Sequence, residues 1–186
     1  LLVLVVTAPA FIFFSQKGPG AMHAPWLISL AAGLVVGGLS QVSRLCTVGG
    51  FRDLFLFKKS ILIFGYLAVL IGVFVVNISF GNFHLGFENQ PIAHTDGLWN
   101  FLGMALAGFC SVLLGGCPLR QLIMTGEGNS DSAVTVLGLA AGAAFAHNFG
   151  LAASGAGPTL NGQIAVGVGF VVALIIAILN TKRANA

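Results

Sequence analysis

Fifty-seven per cent of this 186-residue chain is hydrophobic, against eight basic and five acidic side chains, 26 glycines and a mean hydropathy of +0.99. Thirteen charges cannot cover a globular surface, because a soluble domain carries about a quarter charged residues, so lipid is the expected solvent for most of the chain. The net charge of +3 is too small and too scattered to argue for nucleic acid, and three cysteines without a C-x-x-C spacing exclude a disulfide framework and a zinc site.

The first predicted element is residues 1–14, an apolar run that opens mid-helix with no basic n-region, which reads as part of a longer polypeptide rather than a signal peptide. Residues 25–42 form the next, with Pro25 suited to its first turn. "SRLCTVGGFRD" follows at 43–53 and sets Arg44, Cys46, Arg52 and Asp53 side by side. An apolar run at 61–80 leads into a polar connection at 81–95, "GNFHLGFENQPIAHT". Asp96 is placed to cap the apolar run 97–114, which carries Cys110. Next comes "LGGCPLRQLIMTGEGNSD" at 114–131, with Cys117, Arg120 and Glu127. Ser130 or Asp131 can cap the run 132–150, which ends on His147, Asn148 and Gly150. A glycine and proline turn at 153–162 precedes the last run, 163–180.

Threaded as six crossings, one side of the membrane receives Arg44, Arg52, Lys58, Lys59, Arg120, Lys182 and Arg183, and the other only Lys17. The excess of basic residues assigns the first side, with the C-terminus, to the cytoplasm and places 81–95 and 153–162 outside.

Superimposing Cys46 on Cys117 brings Gly37 onto Gly108 and sets an apolar helix before each cysteine, an arginine within six residues after it, and a further apolar helix beyond. The expected organisation is one transmembrane domain over 1–186 with repeat units at about 25–80 and 97–150. "TVGG" after Cys46, "GG" before Cys117 and Pro118 after it are helix-interrupting residues, so discontinuous or re-entrant helices are expected there. A helix broken inside a membrane exposes backbone N–H groups that bind anions. Arginine adds two-donor anion recognition, and a thiol offers a weak donor and a soft atom. That combination suits a small anion containing sulfur or selenium.

Plainer readings exist for every one of these residues. Cys46 and Cys117 can be apolar filler at helix ends, and Cys110 core packing. Arg44, Lys58 and Lys59 can be interfacial anchors. Arg52 can pair with Asp53, and Arg120 with Glu127. His147 and Asn148 can serve as caps or interhelical hydrogen bonds. His23, His84 and His94 read as solvated loop residues, though His94 and Asp96 are candidates for lining an entrance.

"SRLCTVGGFRD", "ENQPIAHTDGLWNFLGM", "GGCPLRQLIMTGEGNSDSAV" and "AFAHNFG" resemble the YeeE/YedE sulfur-transport family of bacterial inner-membrane proteins, and within it the YedE branch, to which selenium transport is ascribed. The resemblance runs over nearly all of the chain, which is similar to the C-terminal half of a family member. It implies cysteine-bearing elements that dip into the membrane around a central path. It also implies that Cys46 and Cys117 pass an anion along by thiol hydrogen bonds, as in the thiosulfate-transporting YeeE branch.

The function expected is therefore inner-membrane transport of a small sulfur- or selenium-containing species, without a cofactor or metal. Cys46, Cys117, Arg52 and Arg120 would line the path, with Cys110, Arg44, His147 and Asn148 as further candidates. The lipid membrane and the N-terminal half or a second subunit would be its partners. The alternatives are a membrane thiol enzyme of sulfur or selenium metabolism and a structural membrane subunit.

Overall fold

What little interior the protein has is largely polar. Ser111, Gln121 and Ser132 are buried, while Cys117 and Ala173 are the buried apolar side chains among the described residues. Large apolar side chains point outward along every long helix, as at Val42, Ile61 and Leu137. This inversion of the soluble-protein pattern is what lipid as solvent requires, because hydrocarbon outside removes the drive to hide hydrocarbon within.

The computed structural model describes residue 7, residues 24–86 and residues 94–184. The expected run 1–14, Lys17 and His23, and residues 87–93 of the outer connection, lie outside the residues described, apart from Thr7. The described residues are helical, with seven named helices: α1 (Trp26–Ser43), α2 (Thr47–Phe57), α3 (Ile61–Ser79), α4 (Gly97–Leu113), α5 (Pro118–Gly126), α6 (Ser130–Asn148) and α7 (Leu160–Ala184). They divide into two compact units, Leu1–Ser43 and Arg44–Ala186.

The first unit holds α1, whose opening turn closes when the Ser29 N–H donates to the Pro25 carbonyl at 3.1 Å. Pro25 thus stands just before the helix, where its missing N–H costs nothing.

In the second unit, α2 packs on α3, α5 on α6 and α4 on α7, and α2 also meets α4. Small residues set these approaches. Gly50 lies against Leu62 and Ile63, and a Cβ on Gly169 would fall 2.7 Å from Leu106 Cδ2. Four helices end alike. After α3, α4, α5 and α6 the chain turns through a glycine with positive φ: Gly81, Gly115, Gly128 and Gly150. The following N–H closes on the carbonyl five residues back, at 2.8–3.0 Å. These are Schellman closures, and they pair carbonyls that hydrocarbon could not.

Four stretches are long and apolar enough to cross a membrane: Trp26–Phe57, Ile61–Ser79, Gly97–Gly126 and Leu160–Thr181. Helix α6 forms where expected and stands outside these four. Its first turn is Ser130, Asp131 and Ser132, and its body is rich in alanine and glycine. Its cap is also not Ser130 or Asp131. Asn129 holds the extended backbone and accepts from the Ser132 N–H at 2.9 Å. At α4 the expected cap is present, Asp96 accepting from the Trp99 N–H at 3.3 Å.

Candidate functional site: two cysteine-capped helix breaks

Both cysteine segments are helix breaks. After Ser43, Arg44 takes a left-handed φ of 52° and Cys46 an extended one, and α2 starts at Thr47. Cys46 is the N-cap, its sulfur accepting from the Gly49 N–H at 3.3 Å. Only glycine sits easily below that sulfur, since a Cβ on Gly49 would lie 3.3 Å from Cys46 Cβ and 3.4 Å from Sγ. In the second break Gly115 takes φ 75°, Cys117 is extended, and Pro118 opens α5 at the first-turn position where proline fits.

The short helices that follow have 11 and nine residues. At 1.5 Å per residue they reach about 16 and 14 Å, roughly half of a 30 Å hydrocarbon layer. The carbonyl left over at the second break is handled by a residue that had no functional reading in the sequence. Gln121 is 4% exposed, and its Nε2 donates to the Leu114 carbonyl at 2.8 Å.

The two breaks meet. Cys117 is buried and makes no capping hydrogen bond of its own. Its sulfur faces the backbone N–H groups of Leu119 and Arg120, the N–H of Thr47 from the other break, and the Cys46 thiol. Two helix N-termini, each presenting positive dipole ends, thereby converge on two thiols.

Beside them opens a cavity of about 280 Å³, lined by Cys46, Arg44, Arg52 and Arg120 with Gly49, Val112, Gly115 and Met124 among its walls. Arg52 is held by its neighbour, Nε and Nη2 donating to Asp53 Oδ1 at 3.0 and 2.8 Å. Arg120 and Glu127 approach to 3.6 Å. Arg44 makes no ion pair among the described residues. Three guanidinium groups and a thiol around a solute-sized space can hold a small anion through forked donors and a soft contact.

The other candidates stand apart. Cys110 lies within α4 and is not among the lining residues. His147 and Asn148 are exposed at the end of α6, where Asn148 Nδ2 donates to the Ala144 carbonyl of its own helix at 2.9 Å. His94 is half-buried: its Nδ1 is buried and has no hydrogen-bond partner among the described residues.

Apolar helices interrupted at cysteine caps, around an arginine-lined chamber, define a polytopic helical membrane protein with room for a small polar solute. The chain belongs to the Sulphur transport family, whose model matches residues 42–183, as the resemblance of its cysteine segments implied. It is 30% identical over 111 residues to the thiosulfate transporter TsuA of Escherichia coli K12, an alignment that takes in 58% of this chain and 30% of that protein. The chain thus spans under a third of the length of that curated relative. No solved structure matches it.

Proposed function

We propose that this chain forms part of an inner-membrane transporter, not an enzyme, for a small sulfur-containing oxyanion such as thiosulfate or a selenium analogue. The observation that carries the reading is the meeting of Cys46 and Cys117 at two helix N-termini beside a cavity with three arginines. Cys46 and Cys117 contact the solute in turn. Arg44, Arg52 and Arg120 balance its charge, and the α2 and α5 amides supply further donors. Likeness to a thiosulfate transporter supports the class of solute. Cys110 has a packing role, and His147 and Asn148 stand off the path.

The test is uptake of thiosulfate, sulfite and selenite into proteoliposomes holding the complete protein. Cys46→Ala or Cys117→Ala should slow uptake roughly tenfold or more, the cost of one lost hydrogen bond to a charged solute. Cys110→Ala should leave uptake near its starting rate. Serine separates the two uses of sulfur. Recovery by Cys→Ser assigns the role to hydrogen bonding, and no recovery assigns it to the soft atom. Full uptake by the double alanine variant, or no uptake of any of the three anions, sinks the proposal.

A further inference from the structure

Each short helix after a cysteine presents the same pair of side-chain types to the cysteine cavity. Val48 and Arg52 stand one turn apart on α2, Arg120 and Met124 one turn apart on α5, and all of them line the cavity. Residues at that spacing share a helix face. Each break therefore offers a guanidinium group and, one turn away, an apolar side chain. Most large apolar side chains of the long helices point outward, but Val48 and Met124 are half-buried. Packing does not account for that, because in lipid an apolar side chain gains little by leaving hydrocarbon. With Val112 of α4, they give the cavity an apolar wall beside its arginines.

We propose that Val48 and Met124 are selectivity residues, which make the cavity accept an oxyanion with one end that is not oxygen and reject one whose ends are all oxygen. The proposal rests on the proposed transport of a sulfur or selenium oxyanion and narrows the class of solute within it. Thiosulfate is sulfate with one oxygen replaced by sulfur, so the two dianions share shape and charge and differ at a single corner. The oxygen corners of either can face the guanidinium groups, whose forked donors suit them. The remaining corner meets the apolar wall. A terminal sulfur there is large and polarisable, and it lies against methyl groups and the soft Met124 thioether. An oxygen in that place gives up its water and finds no donor, which is costly for a charged acceptor. Selection then works by penalising the wrong anion as well as by holding the right one. One unmade hydrogen bond to a charged group corresponds to a roughly ten- to hundredfold preference for the thio anion. Cys46 lines the same cavity but does not impose this preference alone, because a thiol donates to oxygen as well as to sulfur.

The test is equilibrium dialysis of labelled thiosulfate against the full-length protein in detergent, with unlabelled thiosulfate or sulfate as competitor. Uptake into proteoliposomes is measured beside it. With the unsubstituted protein, sulfate should need at least about tenfold the concentration of thiosulfate to displace half of the label. Met124→Gln keeps the side-chain reach and adds an amide donor, and it should bring the two competitors within about threefold of one another while thiosulfate still binds. Met124→Leu keeps the wall apolar and should keep the preference. Val48→Thr trades a methyl group for a hydroxyl and should narrow the preference in the same direction. No binding of thiosulfate by the unsubstituted protein overturns the proposal, and so does equal competition by sulfate. An unchanged preference in Met124→Gln protein that binds thiosulfate also overturns it. If Met124→Gln abolishes binding, Val48→Thr decides by the same criterion. Thiosulfate uptake that sulfate inhibits as well as thiosulfate does sinks the selector and leaves transport standing. Selective binding by a protein that takes up none of these anions sinks transport and leaves the selector standing.

Discussion

Two residues before each cysteine the chain needs a left-handed backbone. At Gly115 glycine supplies it freely, whereas at Arg44 an arginine adopts φ 52°. That conformation costs a residue with a Cβ about 1 kcal/mol. Strain of this kind persists where the side chain has work that its backbone opposes. Arg44 lines the cysteine cavity and makes no ion pair among the described residues, while Arg52 and Arg120 each have a carboxylate nearby. Arg44→Gly should therefore keep or raise thermal stability, by up to about 1 kcal/mol, while lowering anion uptake. A thermal-shift assay run beside uptake checks this, and reduced stability with unchanged uptake is the contrary result. "SRLC" shows an arginine beside a cysteine but nothing of its backbone, whereas "GGC" announces the same turn openly. His94 shares a cavity with residues from 151–166, some 60 positions further on, and no local pattern points there.

At the scale of elements, each break has to satisfy backbone groups in hydrocarbon. At the second break the Leu114 carbonyl depends on Gln121 Nε2. Gln121→Met keeps the side-chain length and removes the donor. It should destabilise the protein by about 1–3 kcal/mol through the unpaired carbonyl. Hydrogen exchange should show the loss concentrated in α4 and α5, and uniform protection across both helices would contradict it. The breaks themselves were legible, since glycine and proline beside each cysteine interrupt any helix. Among the described residues the hydrophobic runs, the Asp96 cap and the Gly150 stop were legible too. The capping role of Asn129 was not, because three polar residues in a row, Asn129, Ser130 and Asp131, are all good caps and only the backbone angles choose among them. Nor was the meeting of Cys46 with Cys117, a contact across 71 positions that depends on how α2 rests on α4.

Taken whole, the molecule wears its apolar side chains outside, and its orientation rests on where the basic residues fall. We expect the end of α7, with Lys182 and Arg183, in the cytoplasm and the turn at 153–159 on the outer side. In a variant lacking the three native thiols, a cysteine at Ala156 should react with a membrane-impermeant maleimide in intact spheroplasts. One at Ala184 should react only after lysis. The reverse pattern would invert the topology.

Seven residues of α4 separate the cysteine cavity, which begins at Val112, from a second cavity of about 260 Å³ that ends at Met104 and is lined by His94, Trp99 and Gln163, and that spacing has an electrical meaning. If water fills both cavities, the membrane voltage no longer falls evenly over about 30 Å but mostly over the roughly 12 Å between them. Drawing a dianion inward against an interior at −100 mV costs about 4.6 kcal/mol. Nearly all of that work then falls on one short step, the hop from the histidine end of α4 to the cysteine end. That step is where the field would set the rate, and where a co-transported cation would have to accompany the anion.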